Sequence, residues 1–298
     1  MRQRVQSDTA LLLARPRVLD YISLVKPELT LLSVLTAVGA ACLAADNGLP
    51  YKILLHTFLG TLLVGGGAGA LNQFLERSYD GLMKRTENRP LPSGRVSPAE
   101  AFVFGLVIAA LGVVELSLFT NPLAGFLSIA TLTTYLFLYT PLKRLTPFAT
   151  VVGGVPGALP PVIGWTAVRG ELGIEAWALF AILFFWQLPH FYALAWMYRK
   201  DYARGGYRIL TVVDAEGNGT SRQIIVHSAA LLPASLLPTY LGMLGAAYFC
   251  GAFLLSMLFF FVALNFYRRR TNGAARKLFY ASLAYIPALI MLMLLDRL

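Results

Sequence analysis

Side chains able to do chemistry collect in three short stretches of this sequence. The first reads Asn72-Gln-Phe-Leu-Glu76-Arg-Ser-Tyr-Asp80, and Lys84, Arg85 and Arg89 follow at once. Asn72, Glu76 and Asp80 stand four apart, so on a helix their oxygens form one stripe about 12 Å long. Two carboxylates and an amide suit a hard divalent cation. Mg2+ fits best, because it takes carboxylate oxygens together with substrate phosphate oxygens and retained water. Arg and Lys grip phosphate by charge, Arg with paired hydrogen bonds as well. Acids for a metal beside bases for a phosphate describe a diphosphate site. A solvated helix end with i,i+4 ion pairs would account equally well for an isolated E-x-x-x-D. Asn72 tips the balance toward function, because it lies inside an apolar run where polar groups are costly.

The second stretch, Tyr139-Thr-Pro-Leu-Lys143-Arg144, adds two bases. Anchoring at a membrane edge explains these two as well as phosphate contact does. The third runs from Trp186-Gln-Leu-Pro-His190-Phe to Tyr198-Arg199-Lys200-Asp201-Tyr202. Trp186, His190, Leu194, Tyr198 and Asp201 recur at 3–4 spacing and share a helix face. Asp201 is a candidate oxygen ligand, Arg199 and Lys200 add positive potential, and His190 is the histidine close to this cluster. His56 and His227 read as hydrogen-bonded packing residues, and Glu115 as a local hydrogen-bond partner. Cys42 and Cys250, both in apolar runs, give neither a disulfide framework nor metal-ligand spacing. The run from Gly153 to Pro161 is no nucleotide fingerprint, since no strand precedes it. It reads as a kinked helix packed closely on its neighbours.

The elements that position these stretches must cross a membrane. Of 298 residues, 57% are hydrophobic and 13% charged, against about a quarter charged in soluble domains. The apolar residues form runs of the roughly 20 residues that a spanning helix needs. They predict an all-α integral membrane protein of nine transmembrane helices, at 28–46, 52–76, 98–120, 122–141, 147–168, 173–198, 222–243, 245–267 and 276–296. With the amino terminus cytoplasmic, 22 of the 25 Lys and Arg fall in inner segments, and only Lys52, Arg169 and Arg297 lie outside. That asymmetry is the positive-inside signature. The net charge of +10 therefore reports topology and attraction to anionic membrane lipid rather than nucleic acid. Spans two, four and six run from outside to inside, which brings the three stretches to the cytoplasmic surface together. Residues 1–27 read as a cytoplasmic segment that is neither a secretory signal nor a transit peptide. Residues 28–298 read as a single helical domain in a bacterial inner membrane.

At these residues the sequence resembles the UbiA-type intramembrane prenyltransferases and, within them, the branch that farnesylates heme. The likeness extends from Asp20-Tyr21 and Lys26-Pro27 to about Asp201-Tyr202. Its most specific parts are Arg-Thr-x-x-Arg-Pro-Leu-Pro-x-Gly over 85–94 and Trp-Gln-x-Pro-His-Phe over 186–191. It implies nine helices around a central cavity, with farnesyl diphosphate bound through Mg2+ by Asn72, Glu76, Asp80 and Asp201. It further implies heme B as acceptor, heme O as product, and handover to a heme A synthase or a terminal oxidase. On this expectation Arg85, Arg89, Lys143, Arg144, Arg199 and Lys200 meet the diphosphate, and Tyr139 and Trp165 line the cavity. His190 orients water, contacts a heme propionate or ligates the iron. The second acidic motif departs from the broader pattern, because His190 and Met197 fall where acids would stand. A sister enzyme with an aromatic or quinone acceptor is the nearest rival. A transporter would place polar groups at mid-bilayer, and a heme-handling scaffold would ignore Mg2+.

Overall fold

The computed structural model describes residues 17–46 and 48–297. Arg2, Arg4 and Arg15, which enter the charge count, lie outside the described residues. All regular structure among the described residues is helical. In chain order the helices are α1 (Arg17–Leu24), α2 (Pro27–Ala44), α3 (Tyr51–Asp80), α4 (Pro98–Phe119), α5 (Pro122–Leu142), α6 (Ala149–Arg169), α7 (Ile174–Met197), α8 (Arg199–Arg204), α9 (Leu210–Val213), α10 (Asn218–Tyr240), α11 (Ala246–Arg269) and α12 (Asn272–Arg297). Eight of them are long and apolar enough to cross a membrane. The long helix outside that set is α10, whose first turns carry Asn218, Ser221, Arg222 and Gln223 and which holds Pro233 and Pro238. The seventh predicted span thus has its helix but a weaker apolar signal.

The helix boundaries follow from local chemistry. Pro27, Pro98 and Pro122 stand at helix starts, where their missing N–H is not needed. Ser97 and Glu100 close a reciprocal capping box at the start of α4. Asp296 in α12 accepts from the Gly245 and Tyr248 amides and so caps α11 from a neighbouring helix. Small residues bring helices together. A Cβ on Gly112 of α4 would come within 2.6 Å of the Val64 amide nitrogen of α3. On Gly164 of α6 it would collide with the Ala37 carbonyl of α2. Close backbone approach of this kind replaces the hydrophobic drive that lipid does not supply. Large apolar side chains such as Val103, Leu106, Leu111 and Leu118 of α4 face outward, as lipid contact requires.

Two devices matter for the site. Within α5, residues Thr134–Tyr139 form a π-turn just before Pro141, which has no N–H for the helical ladder. The wider turn absorbs the missing bond and rotates the end of the helix. At the opposite ends of the bundle, Asp46 pairs with Arg169 of α6 and lies 3.9 Å from Arg297 of α12. Arg297 also donates to the Cys42 carbonyl. The ends of α2, α6 and α12 are therefore clasped, opposite the ends of α3, α5 and α7. Replacing Gly164 by Ala should cost about 1–3 kcal/mol through overpacking against α2. Thermal unfolding in detergent should read this as a lowered midpoint.

Candidate active site

The stripe on α3 is present and buried. Asn72, Glu76 and Asp80 are 1%, 7% and 1% exposed. Isolated carboxylates in such a place would be costly, and each has a cation. Lys143 Nζ, just past the end of α5, stands 2.5 Å from Glu76 Oε1. Arg89 Nη1, on the loop after α3, donates to Asp80 Oδ2 at 2.7 Å. That loop is folded onto the helix end, since Thr86 donates to the Asp80 carbonyl at 2.7 Å and Leu91 and Val96 are buried with Leu24 and Ala70.

Asn72 is a hub. Its amide nitrogen donates to Glu76 Oε2 at 3.0 Å and to Thr140 Oγ1 at 3.2 Å, and its oxygen accepts from Lys26 Nζ at 2.6 Å. With both ends engaged, Asn72 orients Glu76 and joins α3 to α5. Lys26 was missed as a site residue by sequence reasoning, which counted it as a topology charge and as the start of the family likeness. It occupies the left-handed region at φ 47° immediately before Pro27, a strained conformation for a side-chain-bearing residue and of a kind that clusters at functional sites. Gln73 fixes it from below by donating to the Ser23 and Leu24 carbonyls, and Arg95 ties the same corner to Asp20 at 2.8 Å. Burial, with Arg89 nearby and Glu76 only partly offsetting it, pulls the Lys26 ammonium down to about 7. Burial opposes the charge on Lys143, but Glu76 together with Tyr139, Tyr135 and Tyr207 outweighs it and holds that ammonium above the ordinary lysine range.

The loop after α7 closes over this cluster. Tyr207 donates to Glu76 Oε1 at 2.9 Å, and the Arg208 amide donates to the Lys143 carbonyl at 2.9 Å. Burial and the adjacent Glu76 push the Tyr207 phenol up, so it remains a donor. Arg85 bridges the two loops, donating to Tyr202 Oη at 3.0 Å and lying over the Tyr198 and Tyr202 rings. Tyr207 was also missed, and the Gly205-Gly206 turn before it was the available signal. Tyr139 lies beneath Lys143, 4.8 Å from ring centroid to Nζ, and against Gly153 of α6.

Other expected residues make contacts outside the Asn72–Glu76–Asp80 stripe. Arg144 is exposed and reaches Tyr79, at 2.5 Å from its hydroxyl. Asp201 pairs with Arg204 at 3.2 Å, and Arg199 lies over the Trp196 ring. Lys200 is exposed. Trp165 is buried one turn from the far end of α6, beside Arg169, and so about 24 Å of helix away from Ala149. The described residues hold no group of three His, Cys, Asp or Glu placed to bind a metal. They offer two carboxylates and an amide. His190 is buried on α7, about two turns before its end, with Gln187 donating to the Gly154 carbonyl at 2.8 Å beside it.

Acids and bases from three helix ends and their following loops thus meet at one side of a membrane-embedded helical bundle. Residues 33–286 match the model of the UbiA prenyltransferase family, and the chain belongs to that family. It is 47% identical over 287 residues to the protoheme IX farnesyltransferase of Solibacter usitatus, covering 93% of this chain and 98% of that one. The protoheme IX farnesyltransferase of Koribacter versatilis is 45% identical over 288 residues, with 93% of each covered. Among solved structures, a UbiA homolog from Aeropyrum pernix K1 superposes with a TM-score of 0.74 at 21% identity, over 91% of this chain and 98% of that one. A UbiA homolog from Archaeoglobus fulgidus bound to GPP and Mg2+ gives 0.62 at 16%, over 92% and 99%.

Replacing Lys143 by Met leaves Glu76 buried without its cation and should destabilise the fold by roughly 3–5 kcal/mol. Adding Glu76→Gln to that variant should restore most of the loss. Unfolding of the two single variants and the double variant in detergent measures it.

Proposed function

We propose that this chain transfers the farnesyl group of farnesyl diphosphate to a vinyl carbon of heme B, with addition of water, giving heme O and diphosphate. The observation that carries the chemistry is the pairing of Glu76 with Lys143 and of Asp80 with Arg89. Each pair joins an oxygen ligand to a base suited to diphosphate. The choice of acceptor rests on the full-length similarity to protoheme IX farnesyltransferases.

The donor set fits Mg2+. Glu76 and Asp80 would hold it, with Asn72 orienting Glu76 and with substrate oxygens and water completing the shell. Bound there, Mg2+ would supply positive charge to the departing diphosphate. With Glu76 and Asp80 holding such an ion, Lys143 and Arg89 would be free to neutralise phosphate oxygens. Lys26, Arg85 and Arg144 add to that field, the largest electrostatic contribution to such a reaction. Arg199, Lys200 and Asp201 sit at its margin. The farnesyl chain lies among apolar helix faces, where water is excluded while an allylic cation forms. The Tyr139 ring is positioned to face that cation.

The orientation follows the charge count. We read nine spans, α10 included, with the amino terminus and the site on the cytoplasmic side of a bacterial inner membrane and 28–298 as one domain. The product passes to a heme A synthase or a terminal oxidase.

Purified protein given heme B, farnesyl diphosphate and Mg2+ should yield a product heavier by one farnesyl group and one water, read by mass spectrometry, and EDTA should abolish it. No mass gain under any condition overturns the reading. Asp80→Ala should remove farnesyl transfer while leaving the unfolding midpoint measurable and the protein folded. Calorimetry should find Mg2+ bound at least tenfold more weakly without diphosphate, because metal alone has to break both ion pairs.

A further inference from the structure

Away from the diphosphate site, the last two helices meet in a groove whose lining is sorted by polarity. It encloses about 370 Å³ between α11 and α12 and is lined by Leu258, Phe261, Val262, Asn265, Arg269 and Lys277. The five lining residues on α11 recur at 3–4 spacing and share one face of that helix. Along that face the chemistry passes from apolar to amide to guanidinium over about 16 Å. Lys277, in the second turn of α12, completes the basic end. Leu258 and Phe261 are 65% and 56% exposed, so the groove opens outward to lipid and not into the bundle.

The protein supplies no partner for the polar end. Between Glu216 and Asp296 the sequence has no Asp or Glu. Arg270 is engaged, donating to Asn218 Oδ1 at 2.5 Å. Among the described residues neither Arg269 nor Lys277 takes part in an ion pair. Asn265 is half-buried one turn inside the basic end, where an amide is costly unless something meets it.

These features select an amphiphile with an anionic head. Arg grips phosphate oxygens with paired hydrogen bonds, Lys adds a point charge, and an amide can donate beside them. A headgroup carrying its own ammonium would set a third cation next to two bases with no carboxylate to receive it. Basic pockets between membrane helices at the bilayer edge bind acidic head groups for this reason. A second copy of the chain fits poorly, because a two-fold contact would bring the same bases face to face. We propose that the α11–α12 groove binds one anionic phospholipid. Arg269, Lys277 and Asn265 hold its phosphate, and an acyl chain lies along Val262, Phe261 and Leu258. The Ser282 carbonyl of α12 accepts from Trp186 of α7 at 2.8 Å, so a lipid that ties α12 to α11 also steadies a helix of the inner bundle.

The test uses the full-length protein, stripped of lipid in neutral detergent and given phosphatidylglycerol or phosphatidylcholine. Native mass spectrometry and thermal unfolding are the readouts. One phosphatidylglycerol per chain should be retained and should raise the unfolding midpoint, and phosphatidylcholine should do neither. Each base near an acidic head is worth roughly fivefold, so Arg269→Gln combined with Lys277→Gln should weaken retention at least about tenfold. Arg268 and Arg276 are exposed outside the groove. Replacing both by Gln removes the same charge from the same connection and should leave retention nearly unchanged. Val262→Trp fills the seat of the acyl chain without touching charge and should also lower retention. Equal losses in the two double variants overturn the site in favour of diffuse attraction to acidic lipid. Equal retention of the two lipids overturns headgroup selection, and displacement by inorganic phosphate overturns a lipid ligand. A dimer that forms without bound lipid and is lost in Val262→Trp assigns the groove to a second copy and also overturns the proposal.

Discussion

Two carboxylates buried at the end of a membrane helix need compensating charge, and much of the site is built around supplying it. Glu76 and Asp80 sit where solvation is poor, so each must be paired or neutral. Lys143 and Arg89 supply the pairing from two different connections, and Lys26 reaches the same cluster through Asn72. The resulting network is close to neutral within itself. It can therefore persist at low dielectric and still be opened by a ligand that brings matching charges of both signs.

Backbone geometry serves that compensation. The π-turn in α5 turns the helix end so that Thr140 meets Asn72 while Lys143 meets Glu76. The left-handed corner at Lys26 points its ammonium inward, with Gln73 and Arg95 holding α1 in place behind it. Tyr207 and Arg208 then secure the later loop to Glu76 and to the Lys143 backbone. The π-turn and the Lys26 corner each lie within one contact of a buried charge. That placement agrees with strain being tolerated where the surroundings over-determine it.

Much of this was legible in the sequence. The i,i+4 stripe and its buried face, the meeting of three helix ends and the family itself could all be read from residue type and spacing. These properties are local or periodic, which is why they were readable. Lys26 and Tyr207 were hidden because their roles depend on a turn conformation and on a loop folding back over 131 residues of separation from Glu76. Asp201 looked like a ligand from its register on α7, but α7 ends at Met197 and a new short helix pairs it with Arg204. Trp165 was expected to line the cavity with Tyr139, yet the length of α6 carries it toward the opposite end. Helix polarity predicted the weak apolar character of α10 poorly, because polar first turns and two prolines dilute a span without preventing the helix.

The clasp at the opposite ends of the bundle bears on how the molecule is assembled. α2 and α12 are neighbours although the rest of the described helices separate them along the chain, and Asp46 and Arg297 meet only once α12 exists. Synthesis proceeds from the amino end, so the carboxylates, their cations and the covering loops are all made while one wall of the bundle is still missing. His190 likewise waits for Ser282, whose hydroxyl oxygen lies 2.7 Å from its Nδ1. α12 is the last wall to arrive, and Ile286, Leu289 and Met293 on it line the apolar cavity that its arrival closes.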